Sequence, residues 1–136
     1  MTFLVDANVL SEATKPHPAE AVLAWLSLHE TELAVTSIIL GELQYGILLL
    51  PSGKKRQRLM RWFAAGVTRL PVIDLDAETG TVWATLLAEL KRKGRALPVK
   101  DSLVAATARQ HRLTVSTRNT SDFAHAGVRV VNPFQG

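Results

Sequence analysis

Residues 3–6 read Phe-Leu-Val-Asp, a short apolar run that ends abruptly in a carboxylate. The run predicts a buried strand over residues 2–6. A carboxylate is rarely buried without a partner, because removing its charge from water costs free energy. Asp6 is therefore either a turn or cap residue at the strand end, or part of a functional site.

The rest of the chain alternates short apolar runs with segments of helical spacing. The runs predict four more strands, over residues 33–36, 71–75, 113–117 and 128–131. Helices are expected over residues 19–28, 37–50 (capped by Ser37), 54–69 and 100–111, and another begins at Asp76 and is ended by Gly94. Nearly all-apolar strands separated by helices predict an α/β fold with a five-stranded parallel sheet covered on both faces.

The composition is that of a globular protein of 136 residues, and we expect a single domain over residues 1–136. Hydrophobic residues make up 47% and charged residues 21%, which excludes a disordered chain. The sequence has no cysteine, which excludes disulfides, zinc–thiolate sites and thiol catalysis. No signal peptide or run of membrane-spanning length is evident, so the expected location is the cytoplasm, with no membrane partner.

Four carboxylates occupy places that surface acids rarely take: Asp6, Glu42, Asp101 and Asp122. Asp6 follows the first strand, and Asp122 follows the fourth. Glu42 interrupts an apolar helix, and Asp101 opens a helix of small residues. In parallel sheets the functional crevice lies beyond the carboxyl ends of the strands. Four acids converging there would repel one another unless a cation lay between them, so the set predicts a divalent-metal site. Oxygen ligands without cysteine suit Mg²⁺ or Mn²⁺ rather than zinc.

Each acid also has an ordinary structural explanation. Asp6 could be a turn or cap residue, and Asp122 an Asx-turn residue. Glu42 could be a neutral or hydrogen-bonded buried glutamate, although it shares with Tyr45 a helix face that is expected to point into the core. Asp101 has the strongest alternative, because an aspartate near a helix start is often an N-cap.

Polar and basic residues complete the predicted site. Asn8, Thr117 and Asn119 could orient carboxylates or metal-bound water, although turn chemistry also explains them. Setting the four acids aside leaves eight acidic residues against sixteen basic ones, a net +8 that would attract polyanions. Two basic clusters are candidate phosphate contacts, with a solvated helix face as the alternative: Lys54, Lys55, Arg56, Arg58 and Arg61, and Lys91, Arg92, Lys93 and Arg95. The histidines, His17, His29, His111 and His125, show no paired spacing and are expected on the surface or in packing.

Four ordered segments together resemble the PIN domain family, and most closely its VapC and FitB-like toxin ribonucleases. They are LVDANVLSE at residues 4–12, SIILGELQYG at 37–46, DSLVAATA at 101–108 and TRNTSDF at 117–123, followed by NPF at 132–134. The resemblance covers essentially the whole chain. It implies a three-layer α/β/α fold whose acidic site consists of Asp6, Glu42, Asp101 and Asp122.

The resemblance also implies an Mg²⁺- or Mn²⁺-dependent endoribonuclease, the toxin of a toxin–antitoxin pair, that cuts structured RNA such as tRNA or rRNA. The metal would activate a water for in-line attack on a phosphodiester, leaving a 5′-phosphate and a 3′-hydroxyl. Asp6 and Asp101 are the expected direct ligands, Glu42 would hold the metal or its water, and Asp122 would complete a second, weaker position.

A VapB-like antitoxin is the expected partner, together with a homodimer and a higher toxin–antitoxin assembly. One physical feature agrees with this: Trp25, Leu28, Tyr45 and residues 47–50 supply more apolar surface than two short helices need for one core. Such a surface would suit a dimer or an antitoxin helix, and core packing explains part of it too.

Two features depart from the family pattern. Lys100 directly precedes Asp101, and its ammonium would weaken metal binding if it turned inward. Some PIN domains use the position of Asn119 for the fourth ligand. Two other functions stay open: a catalytically weak PIN module that binds RNA or a partner, and a phosphohydrolase with Asp6 as covalent nucleophile. Phosphohydrolases of that kind usually carry a second acid two residues on, where this chain has Asn8.

Overall fold

A computed structural model describes residues 1–135, which fold around one parallel sheet. Its strands are β1 (Phe3–Val5), β2 (Leu33–Thr36), β3 (Val72–Ile73), β4 (Thr114–Ser116) and β5 (Val130–Val131). Their order across the sheet is β3-β2-β1-β4-β5, and every neighbouring pair is parallel. The predicted α/β fold with a five-stranded parallel sheet is confirmed.

Helices connect the strands and cover the sheet in the three-layer arrangement that the resemblance implied. They are α1 (Ala7–Leu10), α2 (Glu20–Leu28), α3 (Ser37–Leu48), α4 (Lys54–Ala65), α5 (Ala77–Arg92), α6 (Val99–His111) and α7 (Thr120–Phe123). Short 3₁₀ turns lie at Ser11–Thr14, Glu30–Glu32, Val67–Arg69 and Pro133–Gln135. Among residues 1–135, none of these helices combines the length and apolar content that crossing a membrane requires.

The structure corrects several predicted boundaries. Every strand except β2 is shorter than predicted, and α4 ends at Ala65, where Gly66 caps it and a 3₁₀ turn follows. The cap of α3 is Thr36 rather than Ser37, because the Thr36 hydroxyl accepts a hydrogen bond from the Ile39 N–H at 3.0 Å. The sequence pattern does not predict α1 or α7, since a four-residue helix is too short to show a 3.6-residue period.

The order of the strands places a crevice at the carboxyl ends of β1 and β4. The chain runs outward from β1 through β2 to β3, then returns to add β4 and β5 on the other side of β1. Such a reversal leaves room between the connections on either side of the central strand. Val5 pairs with Ser116, so both strands end at the same level and are followed there by Asp6 and Thr117.

Candidate metal and active site

Asp6 lies at the carboxyl end of β1 and is almost completely buried, with 1% of its surface exposed. Its Oδ1 accepts a hydrogen bond from the Ala7 N–H at 2.8 Å, so the residue caps α1. Its Oδ2 accepts hydrogen bonds from Thr117 Oγ1 at 2.8 Å and from Asn8 Nδ2 at 3.3 Å. The cap role proposed as the structural alternative is real, and it coexists with a buried position in the crevice.

Three predicted supporting residues form one network around Asp6. Asn8 Nδ2 also lies 3.3 Å from Thr117 Oγ1, and Asn8 Oδ1 accepts from the Arg118 N–H at 3.1 Å. Asn119 takes part through its main chain, since its N–H donates to Thr117 Oγ1 at 3.0 Å. The network holds the Asp6 carboxylate in one orientation, as supporting hydrogen bonds do for metal-ligating carboxylates.

Helix α6 brings Asp101 to the same end of the sheet. The helix is capped by Pro98, and Asp101 is its third residue, so the N-cap alternative is wrong. Asp101 is 4% exposed, and its Oδ1 is buried with no hydrogen-bond partner among residues 1–135. The following residues of α6, such as Val104 and Ala105, are fully buried, which lets the helix lie close to the sheet.

Lys100 turns inward and joins α6 to α3. Its Nζ donates to Glu42 Oε1 at 2.8 Å and lies 3.5 Å from Asp101 Oδ1. The other Glu42 oxygen, Oε2, is buried and accepts no hydrogen bond within the described residues. Of the two orientations open to Lys100, the structure has the one that opposes metal binding.

The helix face of Glu42 does not point into the core as predicted. Tyr45 and Leu49, which share that face, are 63% and 66% exposed. The buried residues of α3 are Ile39, Leu43 and Ile47. Glu42 therefore lies at the edge of the crevice, where its side chain is partly exposed and reaches Lys100.

The charges at this end of the sheet influence one another. Burial raises the pKa of Asp101, and the charges of Asp6 and Asp122 raise it further, although the neighbouring Lys100 ammonium lowers it. Burial lowers the pKa of Lys100, but the hydrogen bond from its ammonium to Glu42 and the charges of Asp6, Glu42 and Asp101 outweigh burial, so this pKa is raised overall. The ammonium therefore remains charged and provides the positive charge among the acids.

Asp122 is the outlying acid of the four. It is exposed and lies inside α7 rather than in an Asx turn. With Arg95 and His125 it lines a small cavity of about 110 Å³. Its charge acts on Asp101, so it belongs to the same electrostatic environment without sharing the burial of Asp6 and Asp101.

The chemistry of these donors suits a divalent cation, although the structure holds the Lys100 ammonium among them. As they stand, no three His, Asp or Glu side chains in residues 1–135 are arranged to hold a metal ion. Yet Asp101 Oδ1 and Glu42 Oε2 are buried carboxylate oxygens that lack hydrogen bonds, and such groups need a partner. The donors are all hard oxygens, as Mg²⁺ and Mn²⁺ prefer.

A cleft of about 540 Å³ adjoins the site. Asn8 and Glu42 line it, and Lys55 and Arg58 line it from α4. The other members of that basic cluster do not line the cleft: Lys54, Arg56 and Arg61. In the second cluster, Arg95 lines the small cavity beside Asp122, whereas Lys91, Arg92 and Lys93 do not.

Sequence reasoning missed one buried acid near the cleft. Glu12 is 5% exposed, its Oε2 accepts from the Ala19 N–H at 2.8 Å, and its Oε1 lies 2.8 Å from Lys15 Nζ. The ion pair with Lys15 foremost, and then the hydrogen bond from Ala19, lower the pKa of Glu12. The only signal in the sequence was its place in the segment at residues 4–12. Its contacts are those of an acid that holds the chain after α1 in place.

The PIN domain family matches residues 3–128. The chain belongs to the PIN domain family. Toxin FitB of Neisseria gonorrhoeae is 36% identical over 96% of this chain and 97% of its own length. VapC ribonuclease Y4jK of Sinorhizobium fredii is 35% identical over 97% of both chains, and the tRNA(fMet)-specific endonuclease VapC of Shigella flexneri is 30% identical over 93% of both. The resemblance to VapC and FitB-like toxins is confirmed.

Solved structures of relatives share this fold over 74–99% of the chain. The crystal structure of FitAcB from Neisseria gonorrhoeae gives a TM-score of 0.93 at 35% identity, over 99% of this chain and 100% of that one. VapBC2 from Rickettsia felis, solved with a DNA fragment from its promoter, gives 0.84 at 27% identity over 97% and 98%. VapBC-5 from Mycobacterium tuberculosis, a member of the VapBC family of toxin–antitoxin systems, gives 0.65 at 27% identity over 74% and 81%.

Proposed function

We propose that this PIN-family protein, acting as one domain over residues 1–136, is a ribonuclease toxin that hydrolyses RNA with the help of Mg²⁺ or Mn²⁺. The observation that carries the proposal is the gathering of Asp6, Glu42 and Asp101 around Lys100 at the carboxyl ends of β1 and β4. Buried carboxylates without full hydrogen bonding are costly, and proteins retain them where they bind or react. The relatives named as ribonucleases support the choice of reaction.

Asp6 and Asp101 would be the direct ligands of the ion, because both are buried and Asp6 is held in place by Thr117 and Asn8. Glu42 would contribute the oxygen that accepts no hydrogen bond, and Asp122 would provide a weaker second position. When bound, the ion would activate a water and stabilise the leaving oxygen of the phosphodiester. Burial of the ligands strengthens their hold on a cation, since water screens the charges less there.

The RNA would lie along the cleft that Asn8 and Glu42 line. Lys55 and Arg58 line this cleft, and Arg95 lies beside Asp122, so these three are the proposed phosphate contacts nearest the site. The remaining basic residues of the two clusters would act at longer range. A tRNA is the substrate class that we favour, because one relative is named for cutting tRNA(fMet).

The salt dependence of RNA binding tests these contacts in the Asp6→Asn background, in which the RNA stays intact. Each lost phosphate contact should reduce the slope of log K against log salt by about 0.7 on a single strand and by about 0.9 on a double helix. Replacing Lys55 and Arg58 together by alanine should therefore lower the slope by about 1.4 to 1.8 on a folded RNA. The matched control replaces Lys54 and Arg56, which carry the same charges outside the cleft. Equal changes in both double variants would contradict the assignment.

The proposed partners are a cognate VapB-like antitoxin and a second copy of this chain. The expected apolar surface is present in part: Leu28, Tyr45, Leu48 and Leu49 are 50–77% exposed. Ile47 is instead buried in the core, and Trp25 is partly buried against it. Exposed apolar side chains on α3 suit an amphipathic helix or a dimer contact. Light scattering at high concentration tests this, and a stable monomer that binds no antitoxin would contradict it.

The deciding experiment incubates the purified, antitoxin-free protein with total RNA in Mg²⁺, in Mn²⁺ and in EDTA. We expect discrete cleavage with either metal, products carrying a 5′-phosphate, and no cleavage in EDTA or by Asp6→Asn. Asparagine keeps the size of the side chain and still caps helices well. Equal degradation by both proteins would mean contamination and would remove the support for the catalytic assignment.

One alternative has an observation in its favour. Lys100 lies where it opposes metal binding, which suits a catalytically weak PIN module that binds RNA or a partner. Such a module would bind RNA in the same experiment without cutting it at any metal concentration. The family match argues against the alternative in which Asp6 is a covalent nucleophile. Detection of a trapped aspartyl-phosphate would support that alternative.

A further inference from the structure

We propose that Lys100 is a resident counter-cation of the acidic site that competes with the divalent ion and thereby sets how tightly the ion binds. The inference rests on the proposed metal-dependent function and deepens it. Lys100 is a positioning residue in this account, because it acts through the carboxylates rather than on the RNA.

The competition follows from shared carboxylates. Lys100 Nζ lies 2.8 Å from Glu42 Oε1 and 3.5 Å from Asp101 Oδ1, between the side chains that would hold the metal. A magnesium ion sits about 2.1 Å from its ligand oxygens. An ammonium and a divalent ion cannot both approach the same two carboxylates so closely without strong repulsion. We therefore expect the metal to displace the ammonium from Asp101 Oδ1 and to weaken the Lys100–Glu42 ion pair.

The side chain of Lys100 can move into solvent when a metal binds. About one third of it is exposed, and so is about one third of the Glu42 side chain, so the ion pair lies at the solvent-facing edge of the crevice. Asp101, by contrast, is held within the first turn of α6 and is buried. Rotation of the Lys100 side chain toward water would open the carboxylates without any change in α6.

The same ion pair stabilises the metal-free protein. Without Lys100, Glu42 and Asp101 would face Asp6 with no positive charge between them, and like charges in a partly buried site repel strongly. Lys100 thus supports the fold before the metal binds and weakens the affinity for the metal. Removal of its charge should therefore lower the stability of the metal-free protein and raise its affinity for the metal. Removal of an ordinary structural ion pair would lower the stability without raising the affinity.

The test measures Mn²⁺ affinity without RNA, by electron paramagnetic resonance of free Mn²⁺, together with the melting temperature of the metal-free protein. Lys100→Met removes the charge and keeps most of the length of the side chain, and Lys100→Gln is a second variant in case the first folds poorly. Lys100→Arg retains the charge. Lys93→Met, at the exposed C-cap of α5, is the control for the loss of one positive charge.

We expect Lys100→Met and Lys100→Gln to bind Mn²⁺ about tenfold more tightly than the wild type while melting at a lower temperature without metal. Lys93→Met should stay within about twofold of the wild type, and Lys100→Arg should bind more weakly than Lys100→Met. If the wild type binds Mn²⁺ and the two neutral variants bind it equally or more weakly, the proposed role of Lys100 is overturned but the metal site is not. Absence of Mn²⁺ binding in every protein, wild type included, would overturn the metal site itself.

Discussion

Two groups of carboxylates in this protein lie in opposite surroundings. Where α5 meets α6, Asp76 Oδ1 accepts hydrogen bonds from the Thr79 N–H at 2.9 Å and from Gln110 Nε2 at 3.0 Å. Nearby along the same pair of helices, Glu89 Oε2 accepts from Arg109 Nη1 at 2.9 Å. These hydrogen bonds lower the pKa of Asp76 and of Glu89, so both acids favour their charged form in the folded protein.

The acids at the carboxyl end of the sheet have the opposite properties. Asp101 Oδ1 and Glu42 Oε2 are buried without hydrogen bonds in the described part of the chain, and burial raises the pKa of Asp101. Acids with complete hydrogen bonding stabilise a fold, whereas acids without it reduce stability. The difference supports the proposal that the first group is structural and the second binds a cation, since proteins commonly give up stability at functional sites.

The largest expected effect is that of Asp101→Asn. RNA cleavage should fall by at least about 100-fold, because even the loss of a group that supports a metal ligand costs about 10- to 100-fold. The raised pKa means that the charged Asp101 reduces the stability of the metal-free fold at neutral pH. Its neutral replacement should therefore melt at the same temperature or higher, by on the order of 3 °C.

Cleavage rates and melting curves of the same preparation check this pair of effects. A clear fall in the melting temperature of the metal-free Asp101→Asn protein would break the comparison, because Asp101 would then stabilise the fold as Asp76 does.

A smaller effect is expected from Thr117→Val. Valine has the shape of threonine but lacks the hydroxyl that donates to Asp6 Oδ2 at 2.8 Å and accepts from the Asn119 N–H. Cleavage should fall by about 10- to 100-fold, as it does when a group that orients a metal ligand is removed. The matched control is Thr107→Val, another fully buried threonine, whose hydroxyl donates only to the Leu103 carbonyl within α6. Equal losses in both variants would assign the effect to general packing.

The smallest effect on cleavage is expected from Asp76→Ala, which should leave the rate within about twofold of the wild type. The melting temperature at neutral pH should fall by on the order of 3 °C, because α5 loses its cap. An acid with a lowered pKa contributes stability above its ordinary value, here 3.8, and loses that contribution as the pH falls further. The gap between wild type and variant should therefore narrow below about pH 3.8. A gap that stays constant or widens on acidification would contradict the structural role.

Much of the fold follows from local patterns in the sequence. The run at residues 33–36 has three consecutive apolar residues before Thr36, as expected for a strand that is buried on both faces, and β2 has the predicted bounds. The short helices α1 and α7 and the 3₁₀ turn after α4 depend on single capping and tertiary contacts, which no period in the sequence reveals.

The sequence indicated which residues meet at this end of the sheet, but not how their side chains are arranged. The strand ends indicate the places of Asp6 and Thr117, because side chains that follow neighbouring parallel strands meet at one edge. The inward orientation of the Lys100 side chain could not be predicted, since it depends on how α3 and α6 approach each other. Glu42 was expected on a core-facing side of α3, but the exposed Tyr45 and Leu49 show that an apolar helix face can also point outward.

The most direct test of the metal site is the melting temperature of the wild type and of Asp101→Asn with and without Mn²⁺. A ligand at one hundred times its dissociation constant stabilises the folded state by about 2.7 kcal/mol. We predict that Mn²⁺ raises the melting temperature of the wild type by several degrees and leaves that of Asp101→Asn unchanged. An equal rise in both proteins, or none in the wild type, would contradict the account.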